Sequence, residues 1–146
     1  MVKVRDATWE DTPALADIAE ASYRAAFSAI LEEEVLAGRD AAFFAHRFEE
    51  AWRRMLVVCA DEVPSGFLLM TDGHIDMLFM TPTASGQGGG FSLLREAERR
   101  GAKSLECFRD NAGARRFYER HGWRVEREYE RDFAGKIRSF VLYVRD

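Results

Sequence analysis

Apolar and polar positions along the chain fall into two periods, and the points where one gives way to the other predict the elements. Val2 to Arg5 alternates, which predicts a short first strand ending near Thr8. Asp11-Thr12-Pro13 predicts a helix start, with a capping residue and then proline at an early helical position. Ala14, Leu15, Ile18, Ala21 and Ala25 recur at helical spacing and carry that helix to about Phe27. Glu32 to Leu36 predicts a short second helix closed by Gly38, and its Glu32-Glu33-Glu34 run is most simply a solvated face. Asp40 to Arg54 predicts a third helix, with Phe44, Phe48 and Trp52 spaced by four on a core-facing side. Met55 to Ala60 is the longest clear apolar run and predicts a buried strand.

Further strands are predicted over Gly66 to Thr71 and His74 to Met80, each following a turn. A helix from Gly90 to Arg100 is closed by Gly101. Strand Lys103 to Phe108, helix Asn111 to Arg120 and strands near Trp123 to Arg131 and Ile137 to Val144 complete the chain. The order β-α-α-α-β-β-β-α-β-α-β-β implies at least one parallel pairing with a right-handed crossover near the middle, and antiparallel hairpins elsewhere. The expectation is a mixed α/β (α+β) fold, a mostly antiparallel sheet of about six to seven strands with helices on both faces.

Composition narrows the function classes. At 146 residues one domain over 1–146 is expected. A net charge of -4 argues against nucleic acid as the main partner and is compatible with a cationic substrate. Cys59 and Cys107 are the only cysteines and form no C-x-x-C pair, so neither a disulfide framework nor a metal site is expected. Met1 to Thr12 lacks an apolar signal core, and Met55 to Ala60 is too short to span a membrane. A cytoplasmic protein without a membrane partner is the default expectation.

The most informative stretch is Met80-Thr81-Pro82-Thr83-Ala84-Ser85-Gly86-Gln87-Gly88-Gly89-Gly90-Phe91-Ser92-Leu93-Leu94. An apolar segment ends at proline, glycines follow, and a helix begins. Glycines let backbone N–H groups approach a ligand, and the helix start adds unsatisfied donors and a positive dipole end. This is a cradle for phosphate. No Gly-Lys-Ser/Thr follows, and no G-x-G-x-x-G register fits, because Phe91 and Leu93 stand where the last glycine belongs.

The segment Ser85 to Leu94 resembles the pyrophosphate loop [RQ]-x-x-G-x-[GA] of the GNAT superfamily of acetyl-coenzyme A-dependent N-acetyltransferases. Asn111-Ala112-Gly113-Ala114-Arg115-Arg116-Phe117-Tyr118-Glu119-Arg120-His121-Gly122-Trp123 is similar to that family's N-x-x-A-x-x-F-Y-x-x-x-G-F signature, with only the closing aromatic changed. The spacing and element order match the family across nearly the whole chain. Ser85 stands where Arg or Gln is usual, and Gly89 replaces a branched apolar residue, which would loosen the helix start.

The resemblance implies direct acetyl transfer from acetyl-coenzyme A, without a metal, to a primary amine on a small molecule or peptide. It implies cofactor contacts from Gln87, Gly88, Gly89, Gly90 and Asn111, and from backbone N–H groups near Phe79 and Met80 on a bulged strand. Tyr118 matches the position that protonates the departing thiolate. His74 and Asp76, two apart on the preceding strand, are the base candidates, and a regular strand would point both to one face. His46 and His121 read as structural. The resemblance leaves a homodimer open, as it does a longer acyl donor. The alternative function is a non-catalytic acyl-coenzyme A-binding or sensory domain of the same fold.

Overall fold

In the computed structural model, which describes residues 2–84 and 88–145, seven strands form one twisted sheet in the order β1-β2-β3-β4-β5-β7-β6. The strands are β1 (Val2–Asp6), β2 (Met55–Ala60), β3 (Val63–Thr71), β4 (His74–Met80), β5 (Ser104–Phe108), β6 (Arg124–Phe133) and β7 (Lys136–Val144). The helices are α1 (Thr12–Phe27), α2 (Glu33–Gly38), α3 (Ala41–Ala51), α4 (Gly89–Arg99) and α5 (Ala112–Arg120). Element order and type agree with the sequence pattern throughout. β3 starts three residues earlier than Gly66, because Asp61 and Glu62 form the turn with positive φ and the ladder resumes at Val63 opposite Ala60.

The central strands β2 and β3 are buried on both faces, which explains the unbroken apolar run of β2, whereas β6 is exposed along nearly its whole length. Val57 and Cys59 pack on one side with α1 and α3, and Leu56 and Val58 pack on the other against α4. Phe44 and Phe48 are buried as their spacing predicts, whereas Trp52 has left the helix for a short 3-10 turn and is half-buried. Asp11 does not cap α1. Its carboxylate turns back to accept from the Thr8 N–H at 2.7 Å and from Arg5 at 2.7 and 2.9 Å, fastening the end of β1 to the helix start.

One parallel junction organises the molecule. β4 and β5 pair only at His74–Ser104 and Ile75–Leu105, and beyond Leu105 the ladder stops. The strands splay, so the C-terminal half of β4 has β3 on one side and an opening on the other. Among the described residues no helix is long and apolar enough to cross a membrane.

Candidate active site

β4 carries a bulge at the mouth of this opening. Its register against β3 runs Met77–Leu69 and then Ile75–Met70, leaving Asp76 as the extra residue. The regular-strand expectation for His74 and Asp76 is therefore corrected. Ile75 belongs to the core beneath α4 and α5, Met77 to the core beneath α1 and α3, and Asp76 is squeezed out between them, exposed. Both candidate bases still line the same cavity. Asp76 accepts a bond from the Thr71 hydroxyl at 2.7 Å. His74 is half-buried with Nδ1 at 2.8 Å from the Ser104 hydroxyl.

The bulge also fixes which amides face the opening. Thr81 donates to the Ser65 carbonyl at 2.8 Å, and an antiparallel ladder bonds alternate pairs. Counting back in register, Phe79 is bonded to β3 opposite Phe67, while the polar backbone groups of Leu78 and Met80 point to the open edge. Of the two expected amides, the Met80 N–H is on the free edge and the Phe79 N–H is not. Leu78 takes its place.

Two cavities meet at the splay. The first, of about 320 Å³, lies between β4, β5 and the α1–α3 layer. The second runs from Met80 past Gly88, Gly90 and Phe91 to Phe117 and His121. Leu78, Ala114 and Tyr118 line both, so the Tyr118 side chain stands at the junction. Burial pushes the Tyr118 hydroxyl above the ordinary phenol value, with the nearby Cys107 and Tyr143 adding in the same direction.

α4 begins at the second cavity. Gly88 is its cap residue at φ 84°, a left-handed conformation suited to glycine, and among the described residues no side chain caps the helix. The first turn of a helix carries N–H groups with no intrahelical partner. Gln87 lies outside the described residues. Gly89 is buried at the helix start, and a Cβ there would sit 2.4 Å from the Met80 Cε. A Cβ on Gly66 would sit 2.3 Å from the Met80 Sδ. The Met80 thioether thus fills the space of the missing branched side chain, between two glycines. Gly89→Val is expected to destabilise by about 1–3 kcal/mol through overpacking. Adding Met80→Ala should recover part of that loss in chemical denaturation, and full additivity of the two changes would contradict this packing.

Asn111 caps α5, accepting from the Ala114 N–H at 3.3 Å, and lines the first cavity. His121, expected to be structural, lines the second cavity with its ring centroid 4.5 Å from that of Phe91. Sequence reading missed Glu106, which faces the first cavity on β5. A charge on a central strand was the available signal. Burial raises its carboxyl, but bonds from Arg131 and Tyr129 outweigh this and hold it below the usual carboxylate range. It is committed to that ion pair. Among the described residues no cluster of ligating side chains could hold a metal.

Residues 10–123 match the family model described as the acetyltransferase (GNAT) family, and the chain belongs to that family, an acyltransferase class. No curated protein matches. The fold is similar to the solution structure of apo YjaB from Escherichia coli, with a TM-score of 0.84 and 24% identity over 99% of this chain and 97% of that one. It is similar to PaiA N-acetyltransferase from Thermoplasma acidophilum in complex with coenzyme A, with a TM-score of 0.79 and 20% identity over 100% and 99%. A GCN5-related N-acetyltransferase from Rhodopseudomonas palustris gives a TM-score of 0.75 and 26% identity over 98% and 94%.

Proposed function

We propose that this chain transfers an acetyl group from acetyl-coenzyme A to a primary amine, on a small molecule or peptide in the cytoplasm, by direct attack. The observation that carries the reading is the meeting of two cavities at Tyr118, where the sheet opens. One cavity is lined by Gly88 and Gly90 at the start of α4, and a helix start suits a pyrophosphate. The other has the room of a small-ligand site. The residues fit coenzyme A: first-turn amides of α4 for the pyrophosphate, the free-edge groups of Leu78 and Met80 for the pantetheine, and the Asn111 amide beside them. When bound, acetyl-coenzyme A supplies the activated acetyl thioester.

Each residue's part follows from its surroundings. The Leu78 or Met80 N–H donates to the carbonyl oxygen as negative charge develops there. Tyr118 keeps its proton because it is desolvated, and donates a hydrogen bond to the departing sulfur. Cys107 also lines the acceptor cavity, but burial pushes its thiol up to about 12, so no thiolate competes with the amine as nucleophile. His74 is the base. Nδ1 lies 2.8 Å from the Ser104 hydroxyl, and in the tautomer with the hydrogen on Nδ1 that contact holds the ring and leaves Nε2 to take the ammonium proton.

The base assignment gives a mutational prediction. His74→Ala is expected to lower kcat/KM by ~10²-fold or more, the range a positioned base supplies. Asp76→Asn should leave kcat/KM close to that of the unaltered protein. The opposite pattern, with Asp76→Asn inactive and His74→Ala normal, would move the role to the bulge carboxylate.

A further inference from the structure

Two guanidiniums at the mouth of the acceptor cavity lack a carboxylate. Arg39, between α2 and α3, lies 4.6 Å from the Phe43 centroid and 5.3 Å from the Phe133 centroid. Arg47 follows Phe43 by one turn on α3 and lines the same cavity. Among the described residues neither Arg39 nor Arg47 is in an ion pair. Arg131 on this wall is neutralised by Glu106 at 2.9 Å, and Arg138, outside the cavity lining, by Glu32 at 2.7 Å. A guanidinium stacked on a ring keeps its in-plane N–H groups for a planar anion.

The acids that might have drawn in a cationic amine are engaged elsewhere. Glu32 is held by Arg138 and Lys136, and Glu33 by Arg24. The mouth is positive on a chain whose net charge is -4. Below it the wall is aromatic: Tyr23, Phe27, Phe44 and Phe108, with Tyr23 tilted against Phe44 at 5.5 Å. Burial raises the Tyr23 hydroxyl, and Arg39, Arg138 and Arg47 act against that rise, so all three lie within electrostatic reach of it. Acid and base groups, Asp76 and His74, line the same cavity on the strand that flanks the opening.

We infer that the acceptor is an amine that also carries a carboxylate on an apolar or aromatic body, with Arg39 and Arg47 holding the carboxylate over the ring-lined wall. This rests on the transferase reading above. The specificity would come from a charge-assisted bidentate pair rather than from general attraction.

Matched pairs of amines test it. Thiol release at saturating acetyl-coenzyme A is measured for phenylalanine against phenethylamine, and for 4-(aminomethyl)benzoate against benzylamine. In at least one pair the carboxylated member should have the higher kcat/KM by about tenfold or more. The double variant Arg39→Gln/Arg47→Gln should bring that ratio to near unity through KM, and Arg39→Lys/Arg47→Lys should retain part of it. Equal or better rates for the plain amines in both pairs, or a preference that survives the Gln variant, would overturn the inference while acetyl transfer stands. No turnover with any of the four amines by a protein that acetylates other primary amines would also overturn the inference and leave acetyl transfer standing.

Discussion

Tyr118→Phe is expected to lower kcat by ~10²–10⁴-fold, the range a positioned general acid supplies, with little change in coenzyme A affinity. The substitution removes one hydroxyl and keeps the ring that packs 6.4 Å from Trp123 and 5.9 Å from Tyr143. The fold should survive, and the loss should sit in kcat. The same environment sets the pH behaviour. Burial raises the Tyr118 hydroxyl above the ordinary phenol value of ~10, so its proton stays on as pH rises toward that value. The kcat profile should therefore show no alkaline fall from this group below about pH 10. Full activity in the Phe variant would mean that the sulfur leaves unaided or takes its proton from water.

Gly90→Asp should weaken coenzyme A binding on the order of a hundredfold in calorimetry, through like-charge repulsion beside the pyrophosphate site. Stability should hold or rise. A carboxylate in the first turn suits the helix dipole, and Asp is a better helix residue than Gly. A Cβ at Gly90 meets nothing closer than Phe117 at 3.6 Å, an ordinary contact. Gly90→Asn, close in shape but neutral, should lose far less. Equal losses in the two variants would point to bulk rather than charge, and unchanged affinity in both would remove the pyrophosphate from the α4 terminus.

The parts of this molecule that the sequence made legible are those set by local periodicity and capping. β2 reads as a buried strand because its run is continuous, and α3 reads as a helix because Phe44 and Phe48 recur on one side. The parallel β4–β5 junction follows from the same kind of pattern. The bulge does not. His74-Ile75-Asp76-Met77 alternates polar and apolar as a regular strand would, yet Ile75 and Met77 belong to opposite cores. Alternation cannot reveal an extra residue when both faces of the sheet are apolar. Met80 filling the space at Gly89 was hidden for a different reason, since it depends on Gly66 two strands' turns away in sequence. The acceptor cavity was least legible of all. Tyr23, Arg39, Arg47, Glu106 and Arg131 come from five elements or connections, and only the fold brings them together.

The central claim is that the junction at Tyr118 performs transfer rather than binding alone. The most direct measurement is the stoichiometry of thiol released and amine acetylated, by mass spectrometry, when the protein is mixed with acetyl-coenzyme A and a panel of primary amines. One N-acetylated product per thiol, with at least one amine, is the expected result. Tight binding of acetyl-coenzyme A with no acetylated amine across the panel would contradict it, and would make this chain a sensor of the acyl-coenzyme A it holds.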